Sequence, residues 1–120
     1  MQTKVLKIDI DVKQKYFSNC IKEFIETRKL ILNYYGLKAE EIKVEKSRRG
    51  YHIIIILDKY ISVTEALKLQ CILGDDHNRA NFNFFRLENF GERIANLFNL
   101  LYTEKARRVK NEKKNRNRNR

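Results

Sequence analysis

The chain has no proline, no tryptophan, only four glycines and two cysteines among its 120 residues. No proline- or glycine-rich stretch marks a linker between domains, and this length fits one domain with a modest core. Because no run of about 18 apolar residues occurs, we expect no membrane span, and the first residues do not resemble a signal peptide. Cys20 and Cys71 lack CxxC spacing, so a zinc site is not supported. We predict that both are core residues of a reduced, cytoplasmic protein.

Positive charge is abundant but unevenly placed. The net charge is +11, of which residues 105–120 supply +8, because nine basic residues face the single acid Glu112. The Asn-Arg repeat that ends the chain has no apolar side chain to pack. We therefore predict a domain over residues 1–104 and a basic, disordered tail over 105–120. A basic tail binds phosphate backbones without reading sequence, or it only aids solubility. The predicted nucleic-acid-binding residues are Arg107, Arg108, Lys110, Lys113, Lys114, Arg116, Arg118 and Arg120.

Two carboxylates project from one face of the predicted first strand. Residues 4–12 alternate, with apolar side chains on one side and Asp9 and Asp11 on the other. Side chains two apart on a strand share a face, and neighbouring carboxylates repel unless a cation such as Mg²⁺ or Mn²⁺ lies between them. The pair alone is a weak signal, because a solvated sheet face or an ion pair with Lys43 would also explain it.

A second polar element runs through a turn into a predicted strand over residues 51–58. Its side chains are of the types that hold phosphate groups, and Gly50 permits a tight turn or a close approach of the backbone to a phosphate. The candidate nucleotide-binding residues are Ser47, Arg48, Arg49 and His52. If alternation holds, these polar groups and the two aspartates converge on the open side of one sheet. Taken alone, the histidine could be half-exposed on a strand and the arginines could be ordinary hairpin-tip charges.

Helical patterns fill the remaining segments. Residues 14–35 predict one long amphipathic helix that Gly36 ends. A capping box at Ser62 and Glu65 predicts a second helix that runs to about Leu73.

The last third of the domain can be interpreted in two ways. We favour a helix over residues 76–90, stopped by Gly91, and then a strand over residues 94–102. The alternative is a strand over 81–87 followed by a terminal helix. With a short strand near Ile42, either order is β-α-β-β-α-β, an α+β two-layer sandwich of the ferredoxin-like or RRM-like kind.

The two polar elements resemble the first two motifs of archaeo-eukaryotic primases. Ile8-Asp9-Ile10-Asp11 is similar to the hydrophobic run that ends in DxD or DxE, and Ser47-Arg48-Arg49-Gly50-Tyr51-His52 is similar to the Ser-to-His motif. The likeness covers residues 4–58. It implies an RRM-like catalytic palm in which Asp9 and Asp11 hold Mg²⁺ or Mn²⁺, and Ser47 and His52 contact the phosphates of a nucleoside triphosphate. Arg48 or Arg49 would stabilise the transferred phosphoryl group.

The third acid of that family has no clear match. We rank Asp76 above Asp58, which makes Asp9, Asp11 and Asp76 the predicted catalytic acids. The layout is also similar to that of small RRM-like proteins of archaeal viruses and plasmids.

Two functions therefore compete. The first is a minimal primase-polymerase-like nucleotidyltransferase in replication, and the second is a non-catalytic DNA- or RNA-binding protein that uses the sheet face and the tail. Ile54 and Ile56 stand where RRM sheets expose aromatic rings, which argues against ordinary RRM binding. A CRISPR spacer-acquisition nuclease leaves residues 47–52 unexplained, and a rolling-circle initiator would need a His-x-His pair that His52 and His77 do not form.

Overall fold

Three strands form one antiparallel sheet in the order β1-β3-β2. The strands are β1 (Gln2–Ile10), β2 (Ala39–Lys46) and β3 (Tyr51–Ser62). These bounds come from a computed structural model that describes residues 1–101, so the predicted tail over 105–120 lies outside the described residues. Because β3 pairs with both other strands, it is the central strand. The predicted α+β class is confirmed.

Five helices accompany the sheet in residues 1–101. They are α1 (Gln14–Phe17), α2 (Ile21–Tyr34), α3 (Val63–Ile72), α4 (His77–Phe90) and α5 (Glu92–Leu97). The predicted cap of α3 is confirmed, since the Ser62 hydroxyl accepts from the Glu65 N–H at 3.1 Å. Helix α4 is capped in the same way, and Asp76 Oδ2 accepts from the Arg79 N–H at 3.1 Å. None of these helices is long and apolar enough to cross a membrane.

The core lies on one face of the sheet. Alternation sends Leu6 and Ile8 of β1, with Ile53 and Ile55 of β3, into one cluster that also contains Leu32 of α2. A smaller cluster joins α3 to α4 and α5, and its members are Val63, Leu67, Ala95, Phe84 and Leu87. This cluster packs α4 and α5 against α3.

The long helix predicted over residues 14–35 is broken. It divides into α1 and α2, with residues 18–20 between them. Ser18 and Asn19 are weak helix formers, and the Ser18 hydroxyl donates to the Lys15 carbonyl oxygen at 3.2 Å, a local bond that competes with the backbone ladder. Cys20 stands at the start of α2 and is exposed, and Cys71 is exposed as well. The prediction of two core cysteines is wrong.

The helix predicted over residues 76–90 is confirmed as α4, but the strand predicted over 94–102 is wrong. Residues 92–97 form α5, and residues 98–101 join no strand. At the outer edge of β1, where a fourth strand would pair, side chains make the hydrogen bonds to the backbone. Gln70 Oε1 accepts from the Lys7 N–H at 3.0 Å, Asp75 Oδ1 accepts from the Asp9 N–H at 2.8 Å, and Arg79 Nη1 donates to the Lys7 carbonyl at 3.0 Å. Side chains therefore replace a neighbouring strand.

Candidate functional site

Seven side chains that the sequence singles out line one cavity of about 330 Å³. The predicted catalytic acids and phosphate-binding residues come from three separate segments of the chain, and the structure brings all of them together. The lining residues are Asp9, Asp11, Ser47, Arg48, Arg49, His52, Asp76 and Asn78. The rejected acid Asp58 lies elsewhere, exposed on β3, where its Oδ1 accepts from the Lys38 N–H at 3.0 Å.

The floor of the cavity is a cross-strand row at the end of the sheet. His52 of β3 is paired with Asp9 of β1 on one side and Glu45 of β2 on the other. The His52 side chain is 3% exposed, and its Nε2 lies 3.6 Å from Asp9 Oδ1. The alternative of a half-exposed strand histidine is therefore wrong, because the imidazole is buried beside a carboxylate.

Asp9 is a cavity acid whose ionisation the fold disfavours. Burial raises the pKa of the Asp9 carboxyl above its ordinary value; His52 opposes this, and the negative charge of Asp76 adds to it. Asp11 lies one residue beyond β1 and is exposed. The two aspartates thus share a cavity but differ in environment, with one carboxylate partly desolvated and the other in water.

The turn at residues 47–50 is held tightly against β1. The Ser47 N–H donates to the Gly50 carbonyl at 3.0 Å, and the Gly50 N–H donates to Ser47 Oγ at 3.1 Å. A Cβ placed on Gly50 would lie 1.9 Å from the Ile10 carbonyl oxygen, so no larger residue fits without displacing the turn. Gln14 Nε2 adds a bond to the Ser47 carbonyl at 2.9 Å. Glycine is required by this close approach, and the two arginines of the turn line the same cavity as the two aspartates.

The third acid is fixed by the start of α4. The Asp76 N–H donates to the Asp9 carbonyl at 2.9 Å, while its carboxylate caps the helix. The neighbouring Asp75 is buried and bonds Arg79 Nη1 at 2.7 Å; burial raises the pKa of Asp75, and Arg79 opposes that rise. Asp76 was ranked above Asp58 in the sequence because it stands three residues before Arg79. Gln14, Asp75 and Asn78 were missed, because their importance rests on contacts with residues far along the chain.

The acids do not form a ready-made metal centre. Within residues 1–101, no group of three or more histidine, cysteine or acidic side chains is arranged to hold one ion. Mg²⁺, however, is commonly held by one or two carboxylates together with substrate phosphates. The residues present therefore fit a cation that arrives with a phosphate ligand, and they do not fit an ion bound by the protein alone.

The eight basic residues predicted to bind nucleic acid, Arg107, Arg108, Lys110, Lys113, Lys114, Arg116, Arg118 and Arg120, lie outside the described residues.

A relative comes from a virus of archaea. The chain is 39% identical over 105 residues to "Uncharacterized protein 30" of Sulfolobus islandicus filamentous virus (isolate Iceland/Hveragerdi). The match covers 85% of this chain but 38% of that relative, so this chain spans well under half the length of the viral protein. No protein-family model matches the chain. No solved structure matches it either.

Proposed function

We propose that the cavity binds the phosphate groups of a nucleoside triphosphate and that the protein is a minimal primase-polymerase-like nucleotidyltransferase. The observation that carries this proposal is the convergence of three acids and three phosphate-binding side-chain types on one cavity. We further propose that the fold is a ferredoxin-like or RRM-like palm in which side chains on the β1 edge take the place of the fourth strand. A role in replication inside an infected host cell fits the viral relative.

The phosphate-binding side of the cavity is the turn between β2 and β3. Arg48 and Arg49 are exposed, and guanidinium groups bind phosphate oxygens in a bidentate way. The Ser47 hydroxyl accepts from a backbone N–H and keeps its own proton to donate. The buried His52 imidazole, with Nε2 3.6 Å from Asp9 Oδ1, would help to hold the Asp9 carboxylate in place. These groups would neutralise and position the triphosphate.

The acidic side would meet the cation and the attacking hydroxyl. Asp9 and Asp11 would hold a Mg²⁺ or Mn²⁺ ion that comes with the nucleotide; when bound, such an ion neutralises phosphate charge. A 3′-hydroxyl oxygen would form a bond to the α-phosphorus while the bond to pyrophosphate breaks. The hydroxyl proton would pass to water, because Asp9 and Asp11 would both be bound to the cation.

A non-catalytic nucleic-acid-binding protein is the second candidate. It is favoured by the lack of a three-ligand metal cluster in residues 1–101 and by the structural duties of Asp76, which caps α4. In this case the acids shape the sheet end, and the basic residues of 105–120 supply affinity for phosphate backbones.

Calorimetric titration of Mn²⁺, with and without a nucleoside triphosphate, separates the two functions. We expect weak binding of Mn²⁺ alone and clear binding in the presence of the nucleotide. The double variant Asp9→Asn/Asp11→Asn should lose the nucleotide-dependent binding, whereas Asp58→Asn should keep it, because Asp58 is an exposed acid outside the cavity.

Wild-type protein that binds no triphosphate at any Mn²⁺ concentration contradicts the nucleotidyltransferase proposal. If the same protein still binds oligonucleotides in a salt-dependent way, the second candidate is the better description.

A further inference from the structure

We infer that the outer face of α4 is a single-stranded nucleic-acid-binding surface that leads a strand into the cavity. This inference rests on the proposed function, since it names the surface that a nucleic-acid substrate of the cavity would occupy. The surface is the stripe of exposed residues Asn78, Phe82, Phe85 and Asn89, called here the α4 stripe.

The α4 stripe follows one side of the helix at helical spacing. Its members are separated by four, three and four residues, which places them in one row. Asn78 lines the cavity, and a helix rises about 1.5 Å per residue, so Phe85 lies roughly 10 Å farther along the axis. The row therefore starts at the proposed nucleotide site and continues away from it.

The two phenylalanines of the α4 stripe are turned outward. Phe82 is 59% exposed and Phe85 is 57% exposed, whereas Phe84 and Leu87 pack inward on the cluster with α3 and α5. The inner face thus supplies the packing that holds α4, and the outer rings add nothing to that cluster. Exposed rings on a rigid helix match the stacking platforms on which bases of single strands lie, in a way that tolerates any sequence.

Positive charge accompanies the rings. The Arg86 guanidinium lies 5.6 Å from the centre of the Phe82 ring and 5.2 Å from the centre of the Phe98 ring. This arrangement holds a cation beside the α4 stripe, where it can meet a phosphate or stack on a base. The chain beyond Leu101 carries nine further basic residues against one acid over 105–120. Exposed rings beside a guanidinium, on a chain of net charge +11, complement a single strand better than a second copy of this cationic chain.

Fluorescence anisotropy of a labelled 12-nucleotide oligothymidylate with the full chain tests the inference. Phe82→Ala/Phe85→Ala should weaken binding by on the order of tenfold per ring, because removal of a stacking ring has an effect of that size. The slope of affinity against salt should not change, since the rings carry no charge. Tyr34→Ala/Tyr35→Ala is the matched control: these rings are also exposed and adjacent, 5.3 Å apart, at the end of α2, and their loss should leave affinity unchanged.

A second variant guards against misfolding. Phe82→Leu/Phe85→Leu keeps apolar bulk but removes the flat rings, and it should weaken the oligonucleotide as well. Binding by either phenylalanine variant that equals wild type overturns the inference. So does a wild-type dimer, measured by light scattering, that dissociates in the alanine variant, because the rings would then be buried between copies.

The two sets of variants distinguish a failure of this inference from a failure of the proposed function. The phenylalanine variants should retain Mn²⁺-dependent binding of the triphosphate, and Asp9→Asn/Asp11→Asn should retain oligonucleotide binding. If only the aspartate variant loses triphosphate binding, the proposal for the cavity is supported. If the phenylalanine variants also bind the oligonucleotide like wild type, the inference about the α4 stripe is overturned.

Discussion

Asp9 is a single side chain whose burial acts against its own ionised form. Its carboxylate is partly desolvated beside His52 and near Asp76, and the net result is a raised pKa. A buried acid whose ionised form is disfavoured reduces stability at neutral pH. Such a residue is expected where charge is kept for chemistry and not for packing.

We predict that Asp9→Asn raises the thermal unfolding midpoint at pH 7. Because the folded-state pKa of Asp9 is above its unfolded value, the stabilising contribution of the protonated acid is present below the unfolded pKa, about 3.9, and is lost as pH rises through the folded pKa. The gain in the variant should therefore be small at acid pH and larger at neutral pH. Thermal melts followed by circular dichroism between acid and neutral pH measure it.

Asp11→Asn is the control for this prediction, since Asp11 is exposed and surface changes usually alter stability by less than about 0.5 kcal/mol. A lower midpoint for Asp9→Asn at pH 7 would show that attraction to His52 outweighs burial of the carboxylate.

At the scale of elements, the β1 edge is the feature that distinguishes this fold from a four-stranded sheet. Gln70 and Asn99 exchange two side-chain bonds, at 3.0 and 2.9 Å, and Gln70 in turn accepts from the β1 backbone. Arg79 binds Asp75, the Asn99 side chain and the Lys7 carbonyl together. The network closes an edge that would otherwise expose unpaired backbone groups.

Removal of Arg79 should therefore destabilise the protein strongly. We expect Arg79→Leu to lower the free energy of unfolding by about 3–5 kcal/mol, because it leaves the Asp75 carboxylate buried without its partner. Denaturant titrations at several pH values measure the loss. The loss of stability should be smaller at lower pH. Burial already raises the pKa of Asp75, so this acid can take up a proton and become neutral as pH falls.

Arg93→Leu, an exposed arginine of α5, should stay within about 0.5 kcal/mol of wild type. A similar loss in both variants would mean that general charge, and not the β1 edge, accounts for the effect of Arg79.

The same network shows which part of the fold could not be predicted from the sequence. Periodicity and capping were sufficient for the hairpin, α3 and α4, because their signals lie within a few residues. The fourth strand was predicted wrongly because the apolar pattern after Gly91 fits a strand or a short helix. Gln70 and Asp75 occupy the β1 edge where that strand would pair, and they lie more than 60 residues from β1 in the chain. No local sequence pattern carries that information.

At the scale of the whole molecule, strand register brings the candidate residues together. One alternation along β1 and another along β3 predicted that Asp9 and His52 face the same side, and the register places them opposite each other. The burial of His52 could not be foreseen, because alternation along β3 does not show which segments cover that side of the sheet. Alternation along a strand predicts which face of the sheet a side chain occupies, whereas its burial depends on which other segments pack against that face.

The placement of positive charge along the whole chain predicts how the binding of a single strand depends on salt concentration. The 105–120 segment carries +8 of the net +11, so we expect it to make most of the phosphate contacts in any complex with a single strand. Replacing Arg116, Arg118 and Arg120 by glutamine should make the plot of log affinity against log salt shallower by roughly 2, since each phosphate contact on a single strand contributes about 0.7.

The matched control changes net charge equally but elsewhere, at the exposed Lys22, Lys29 and Lys59. Anisotropy titrations of the same oligonucleotide over a range of salt concentrations compare the two triple variants. Equal flattening in both would show that the strand responds to net charge alone. A slope that changes only in the arginine variant locates the phosphate contacts beyond residue 104, which leaves the α4 stripe and the cavity to act on the bases and the reacting nucleotide.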